Sequence, residues 1–336
     1  MLFFILIAVA IVAYANGANG NFKGVASLYG SGTTRYRVAV NWAAVTTAAG
    51  SVAAMMMGAA LLKAFSGKGL VPDALIAQPV FLFAVAAGAG LAGFFATRLG
   101  FPVSTTHMLT GGLLGAGVMA DPAGVNLGKL WDTFARPLLL SPVIAVGAGG
   151  VIYLLLKALR LAPDHRTRTL DALHFLSAGA VCFARGLNDT PKMAALLLGV
   201  GWMQGSAGTL MVAAAMTAGG LISARQVAET LSHKITDMNP GQGFAANVAT
   251  SLLATTASYH GLPVSTTHIS VGALLGIGIT TRQAKWRTVV PVLAAWVLTL
   301  PFAMVLSAMV YGVSRRFLGV ATVDASVAAK VIFFSS

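Results

Sequence analysis

Apolar stretches long enough to form membrane helices recur from one end of this chain to the other. A spanning helix needs about 20 mainly apolar residues, and a soluble domain has roughly a quarter of its residues charged. Here only 9% of the 336 residues are charged, and the mean hydropathy is +0.81. The sequence therefore predicts an all-α, polytopic protein embedded in a lipid bilayer. Its helices are expected at about 2–16, 38–65, 74–97, 135–160, 174–184, 190–203, 207–222, 244–258 and 286–312.

Basic residues outnumber acidic ones by 22 to 9, which gives a formal net charge of +13. In a membrane protein such an excess collects in cytoplasmic loops. The basic residues at 157–168 and the pair Arg315–Arg316 fit that bias. We therefore attribute the charge to membrane topology and expect no nucleic-acid partner. Cys182 is the only cysteine, which excludes an intrachain disulfide and a cysteine-based metal site.

Two different motifs occur twice, in the same order. Gly-Phe-Pro-Val-Ser-Thr-Thr-His at 100–107 returns as Gly-Leu-Pro-Val-Ser-Thr-Thr-His at 261–268. Gly-Ala-Asn-Gly-Asn-Phe-Lys at 17–23 is matched by Gly-Leu-Asn-Asp-Thr-Pro-Lys at 186–192. Duplicated membrane halves are the usual construction of secondary transporters. We therefore predict an N-terminal membrane repeat over 1–160 and a C-terminal repeat over 172–336, joined by a polar loop at 161–171.

Each Pro-x-Ser-Thr-Thr-His motif opens a short apolar segment, at about 104–120 and 265–281. Proline breaks a preceding helix, so Ser104 and Ser265 are predicted to be helix N-caps. Helix N-termini favour anions, and the neighbouring hydroxyls add hydrogen-bond donors. Two such ends facing each other would suit a tetrahedral oxyanion. We favour this over the alternative that the hydroxyls bond to their own helix carbonyls. For His107 and His268 a structural role is expected.

Charged residues also lie within apolar sequence, where an ionisable side chain costs roughly 2.5–3.5 kcal/mol on insertion scales. They are Arg185, Asp189 and Lys192. Asp189 and Lys192 are spaced to form an ion pair on one helix, which would be a purely structural role. We favour a functional one, in which Asn188 and Asp189 supply oxygen ligands to a coupling cation, or Asp189 titrates. The flanking glycine and proline, at positions 186 and 191, predict an unwound helix here, with free carbonyls.

Together, the two motif pairs and the segment at 231–244 resemble the inorganic phosphate transporter (PiT) family. The resemblance covers about residues 14–281 and implies two inverted repeats with broken or re-entrant helices. It implies symport of inorganic phosphate with Na⁺ or H⁺ across the cell inner (cytoplasmic) membrane, with no enzymatic activity and no cofactor. Whether the protein forms a homodimer is left open. Phosphate would be held by Ser104, Thr105, Thr106, Ser265, Thr266 and Thr267. The cation and coupling site would contain Asn19, Asn21, Asn188 and Asp189, with Asn188 and Asp189 as ligands if the cation is Na⁺.

One position departs from the family pattern. Gly20 stands where the first repeat of the family usually has an aspartate. That carboxylate would accept hydrogen bonds from protonated phosphate oxygens and supply a cation ligand. Its absence suits sulfate, and the sequence is also similar to a branch of sulfate permeases that lack this residue. Sulfate is therefore the alternative substrate. Phosphate remains the preferred substrate because Asp189 is retained. The missing carboxylate removes a cation ligand, which favours coupling to H⁺ over coupling to Na⁺.

Three other functional classes are weighed against transport of an oxyanion. An intramembrane hydrolase would need one distinguished serine, whereas here the whole array is duplicated. A divalent-metal transporter built on His107, His268 and Asp189 is disfavoured, because hard cations prefer carboxylate and carbonyl oxygens to hydroxyls. A passive anion channel would differ only in lacking coupling, and the sequence leaves it open.

Overall fold

The computed structural model describes residues 1–200 and 206–318. Within these ranges, seven helices are long and apolar enough to cross a membrane. This confirms the predicted all-α, multi-pass membrane protein. The predicted helix at 190–203 extends past residue 200 and ends outside the described residues.

The helices before the predicted loop include four of the seven long spans. They are α1 (Leu2–Gly20), α2 (Ala26–Gly30), α3 (Tyr36–Met57), α4 (Ala59–Ala64), α5 (Asp73–Ile76), α6 (Pro79–Arg98), α7 (Thr105–Ala120), α8 (Leu127–Leu130) and α9 (Arg136–Ala158). After the loop come α10 (Arg168–Ala194), α11 (Ser206–Ser223), α12 (Arg225–Glu229), α13 (Pro240–Tyr259), α14 (Thr266–Thr280) and α15 (Trp286–Leu318). Tight 3₁₀ turns extend α1 over Asn21–Lys23 and α10 over Ala195–Val200.

Both copies of the Gly-x-Pro motif fold into the same turn. α6 and α13 each end at a glycine in the left-handed region, Gly100 with φ 73° and Gly261 with φ 65°. The next amide, of Phe101 or Leu262, then donates back into the last turn of its helix over 2.9 Å. This arrangement stops a helix at a residue without a Cβ. The motif therefore encodes a sharp reversal between α6 and α7, and again between α13 and α14.

The serines of the two motifs begin the helices that follow. The Ser104 hydroxyl accepts from the amide of His107 over 3.3 Å, and the Ser265 hydroxyl accepts from the amide of His268 over 3.1 Å. These bonds satisfy amides that have no partner inside the helix. The predicted N-caps are confirmed, and α7 and α14 begin within a residue of the predicted positions.

α10 departs from the sequence-based prediction. It runs unbroken from Arg168 to Ala194, whereas two helices with an unwound stretch at Asp189 were predicted. Gly186 lies where α10 contacts α3, and a Cβ there would overlap the Thr47 carbonyl oxygen of α3. The glycine permits close helix packing rather than unwinding. α10 also begins inside the range predicted as loop, with the Thr167 hydroxyl accepting from the amide of Leu170.

The long helices exchange partners across the two predicted repeats. α1 packs on α11 and α10 packs on α3, while α7 packs on α15 and α14 packs on α9. Each helix of these pairs therefore buries much of its surface against the other half of the chain. The two predicted repeats are interleaved rather than placed side by side. That they are inverted stays a prediction.

Large apolar side chains cover the outside of the long helices. Met56 is 90% exposed, Val297 74% and Val143 70%. In a soluble protein these side chains would be exposed to water, which is unfavourable. In a membrane protein they face the lipid hydrocarbon. Polar side chains of the duplicated motifs point the other way, into the protein interior.

Candidate functional site

The two Ser-Thr-Thr-His turns meet in the interior of the protein. We call residues 103–107 the first tip and residues 264–268 the second tip. The hydroxyl of Thr106 donates to the carbonyl of Val264 over 2.9 Å, and the hydroxyl of Thr267 donates to the carbonyl of Val103 over 2.6 Å. These bonds are reciprocal, since each joins the same two motif positions. They bring the two predicted halves of the anion site together.

All six predicted phosphate ligands are buried at this junction, none more than 5% exposed. Beyond the two capping serines and the two reciprocal bonds, the remaining threonines contact residues in or next to the duplicated segments 17–23 and 186–192. Asn16 donates to the hydroxyl of Thr105 over 2.5 Å. The hydroxyl of Thr266 donates to Asp189 over 3.4 Å and accepts from Lys23 over 3.4 Å. The hydroxyls therefore form a network shared by the tips, α1 and α10.

Asp189 is surrounded by cationic groups. Its Oδ1 lies 3.1 Å from the ammonium of Lys192, and its Oδ2 lies 3.7 Å from Nε of Arg185. Oδ2 also accepts from Asn16 over 3.2 Å. The pair of Asp189 and Lys192 that the spacing allowed is thus confirmed. The buried carboxylate is compensated by its partners, as a charge in a low-dielectric interior must be.

Lys192 and Lys23 occupy equivalent positions in the two motifs, but their surroundings differ. The ammonium of Lys192 also donates to Thr106 over 2.9 Å and to the carbonyl of Val264 over 3.0 Å. Lys23 reaches Thr266 over 3.4 Å, and at its own i−3 position it finds Gly20 instead of a carboxylate. The loss of one aspartate therefore leaves the first lysine without the partner that the second one has.

The space beside Gly20 is taken by Arg185. A Cβ on Gly20 would lie 2.5 Å from Nε of that guanidinium. Arg185 donates from Nη2 to Asn16, over 2.9 Å to the carbonyl and 2.5 Å to the side-chain oxygen. It thereby links the unbroken part of α10 to α1. The space at the position where the family usually has a carboxylate is thus filled by a cation from α10, one residue before the second copy of the motif.

Asn19 and Asn188 bond to residues before the two turns and not to the threonines of the tips. Asn19 donates to the hydroxyl of Thr97 over 3.2 Å, and Asn188 donates to the hydroxyl of Ser258 over 2.8 Å. These are equivalent bonds in the two halves. Asn19 also accepts from the amide of Val103 over 2.9 Å, which fixes the main chain of the first tip.

Asn21 lies on the α3 side, where its oxygen accepts from Thr47 over 3.3 Å. Of the two residues predicted as Na⁺ ligands, Asn188 has a buried side-chain oxygen with no partner among the described residues. Both oxygens of Asp189, however, already accept hydrogen bonds, Oδ1 from Lys192 and Oδ2 from Asn16, and the Arg185 guanidinium lies 3.7 Å from Oδ2. The surroundings of Asp189 therefore do not fit a bound Na⁺.

The two histidines of the tips lie against each other, with ring centroids 4.9 Å apart. His268 also stacks on Trp296 at 4.1 Å, and its Nδ1 lies 3.2 Å from the carbonyl oxygen of Leu138. Trp296 in turn donates to the carbonyl of Pro102 over 3.0 Å. These contacts match the expected structural role. Across the described residues, no group of three or more His, Cys, Asp or Glu side chains could hold a metal ion.

Sequence reasoning left four residues of this network out of the predicted site: Asn16, Lys23, Arg185 and Lys192. Asn16 and Arg185 bridge α1, α10 and the first tip, yet only Arg185 was noted, as a buried charge. A signal was available, because both residues stand three positions before the asparagine of their motif, one in each copy. Aligning the repeats one turn further towards the N-terminus would have exposed them.

The sequence model described as the phosphate transporter family matches residues 16–307 of the chain. The chain belongs to the phosphate transporter family. This confirms the resemblance found in the duplicated motifs. It also confirms that the chain is not an enzyme, because the members of this family that it matches are transporters and permeases.

Several members of the phosphate transporter family align along nearly the whole chain. A protein of Rhizobium meliloti (strain 1021), named probable low-affinity inorganic phosphate transporter, is 30% identical over 324 residues, covering 91% of this chain and 94% of its own length. One of the same name from Mycobacterium tuberculosis (strain ATCC 25618 / H37Rv) is 27% identical, covering 92% and 77%. A solved structure described as the sodium-dependent phosphate transporter has a TM-score of 0.78 at 22% identity, covering 94% and 98%. That likeness shows a shared fold.

Proposed function

We propose that this chain is a secondary active transporter that carries inorganic phosphate across the cell inner membrane by symport. The observation that supports this most directly is the meeting of the two tips beside a buried cluster of cationic side chains. Helix N-termini, hydroxyls and positive charge are together the donors that a tetrahedral oxyanion requires. Relatives aligned along most of the chain are named as inorganic phosphate transporters.

Phosphate would be held by the hydroxyls of both tips, with contributions from Ser104, Thr105, Thr106, Ser265, Thr266 and Thr267. In this structure the threonine hydroxyls bond to protein groups, so binding would exchange those partners for phosphate oxygens. Lys23 and Lys192 already contact threonines of the second and the first tip, respectively. Each ammonium is therefore placed to turn towards an anion that enters between the tips.

For coupling we propose H⁺ in preference to Na⁺, with Asp189 as the central residue and Asn19, Asn21 and Asn188 as its surroundings. Asp189 touches both the second tip, through Thr266, and the cationic groups of α10. A change in the charge of this carboxylate would therefore act directly on the residues of the anion site. The engagement of both its oxygens disfavours a Na⁺ ion there.

Uptake of radiolabelled phosphate into proteoliposomes tests the proposed function. We expect accumulation when a pH gradient is imposed, and we expect unlabelled sulfate to compete poorly. Uptake that persists at the same final level after all gradients are collapsed would instead indicate a passive anion channel. Efficient displacement by sulfate, together with uptake of labelled sulfate, would show that the substrate assignment is wrong while the fold assignment holds.

The paired serines test whether the two tips form one site. Ser104→Ala and Ser265→Ala each remove a helix cap, and a cap contributes about 1 kcal/mol. We expect both variants to weaken phosphate binding by similar factors, measured as the concentration for half-maximal uptake. Ser177→Ala, a hydroxyl that bonds only to its own helix in α10, serves as the control. A loss confined to one of the two tip serines would contradict a shared site.

A further inference from the structure

The ammonium of Lys192 lies inside a cage of oxygen atoms. It is 3.1 Å from the Asp189 carboxylate, 2.9 Å from the Thr106 hydroxyl and 3.0 Å from the Val264 carbonyl. An ammonium has three N–H donors, so these oxygens satisfy it completely. Carboxylate and carbonyl oxygens, here contributed by Asp189 and Val264 from separate segments, are also the ligand types that hard metal cations prefer. Lys192 itself is fully buried.

The charge around this cage is unbalanced. Within residues 1–200 and 206–318, the buried side chains with a formal charge are Lys23, Arg185, Asp189 and Lys192. By formal charge three are cationic and one is anionic, which gives the cluster a formal net charge of +2. A metal cation added at Asp189 would meet three positive groups in a low-dielectric interior, where repulsion is strong. A doubly charged oxyanion between the tips would instead neutralise the cluster.

The excess of positive charge arises from one difference between the two copies of the motif. Lys23 and Lys192 are equivalent, but the carboxylate that accompanies Lys192 is replaced by Gly20 beside Lys23. The Arg185 guanidinium fills the space at that glycine. Two positive charges are thereby left for the substrate.

From this arrangement we infer that the Lys192 ammonium is a tethered substitute for a coupling metal cation, and that phosphate transport by this chain is independent of Na⁺. The resident cations supply the counter-charge that a transported metal cation would otherwise bring. The inference rests on the proposed function, since it concerns the anion site of that transporter.

Replacement of Na⁺ tests the inference in the intact protein. Phosphate uptake into proteoliposomes is measured with Na⁺ exchanged for K⁺ or N-methylglucamine at constant ionic strength, under one fixed pH gradient. We expect the same initial rate in all three salts. A wild-type rate that falls to background without Na⁺ would overturn the inference while leaving phosphate transport itself established.

Substitution of the lysine tests the cage. Lys192→Asn removes the ammonium and adds an amide oxygen, so we expect uptake by this variant to be stimulated by Na⁺ by about tenfold or more. Lys192→Met has a similar length but no charge and no oxygen ligand. We expect it to lose uptake in every salt. Lys63→Asn, at an exposed position of α4, should keep the wild-type rate and its independence of Na⁺.

Thermal unfolding of the purified protein gives a readout that does not need transport. A cation that binds the folded state raises the unfolding temperature as its concentration rises. We expect no saturable effect of Na⁺ on the wild type, relative to K⁺, and a clear upward shift in Lys192→Asn. Saturable stabilisation of the wild type by Na⁺ overturns the inference. So does a folded Lys192→Asn protein that Na⁺ neither stabilises nor stimulates.

The two hypotheses fail in different ways. Absence of phosphate uptake by the wild type in every salt and gradient would refute the proposed function, and the unfolding measurement would still decide whether Na⁺ binds. If Lys192→Asn does not fold, the wild-type comparison of Na⁺ and K⁺ decides the matter alone.

Discussion

Asp189 shows how a single carboxylate organises a buried polar site. Removing an ion from water costs several kcal/mol, and only close partners compensate that cost. Asp189 has such partners in Lys192, Arg185 and Asn16. Because it also accepts from Thr266, the same residue ties the charged cluster to the second tip. Under the proposed function, stability and substrate binding are therefore linked at this residue.

Substitution of Asp189 should separate these two effects. Asp189→Asn leaves its buried cations uncompensated, and breaking a buried pair costs about 3–5 kcal/mol. We expect a lower unfolding temperature and no coupled uptake. The double variant Asp189→Asn/Lys192→Met removes both charges and should recover most of the unfolding temperature but not the uptake. Gradient-driven accumulation by Asp189→Asn at the wild-type level would contradict the coupling role.

At this scale the sequence predicted the hydroxyls and the charged pair but not the partners between helices. The six tip residues and the spacing of Asp189 and Lys192 are local patterns, which one motif can reveal. The contact of Arg185 with Asn16 joins residues far apart in the chain, and its geometry depends on how α1 crosses α10. No local pattern encodes that crossing.

Among the helices, glycines decide how closely neighbours approach. A Cβ at Gly17 of α1 would overlap the Met216 carbonyl oxygen of α11, and a Cβ at Gly186 of α10 would overlap the Thr47 carbonyl oxygen of α3. The two glycines are equivalent in the duplicated motif. The sequence suggested a helix break at Gly186 because glycine signals both unwinding and close packing. Only the position of the neighbouring helix distinguishes the two.

Alanine at these glycines should therefore be destabilising. We expect Gly17→Ala and Gly186→Ala each to lose about 1–3 kcal/mol, since added volume in a packed interior forces the backbone to move. Gly147→Ala in α9 is the matched control, because nothing lies within 4 Å of its added Cβ. That variant should gain up to about 1 kcal/mol from helix propensity. Equal unfolding temperatures for all three variants would contradict the packing argument.

For the whole molecule, the main feature is the interleaving of its two halves. α1 and α3 of the first half pack on α11 and α10 of the second, and the same exchange links α7 with α15 and α9 with α14. The loop between α9 and α10 is itself held down by Arg166, which bonds to Asp171 over 2.6 Å and to the Thr33 carbonyl over 3.1 Å. The sequence indicated the duplication. It could not indicate this exchange, because no local pattern says which helix an apolar face packs against.

Interleaving predicts that neither half is stable alone. A chain cut between α9 and α10, expressed as two pieces, should yield a complex that co-purifies and elutes as one species. Each piece expressed separately should aggregate, because its helices would expose faces that normally contact the other piece. A monodisperse, helical preparation of either piece by itself would show that the halves are independent domains.

The exchange of helices also sets an order of events during synthesis. α1 ends at Gly20, but its packing partner α11 begins only at Ser206. At typical elongation rates of about 5–20 residues per second, the partner emerges roughly 10–40 s later. For most of that interval Asn16 is in the membrane without its contacts to Arg185 and Asp189, and Lys23 is without its contact to Thr266 throughout. The newborn first half therefore has to be sheltered, by the insertion machinery or by its own temporary packing, until the second half arrives.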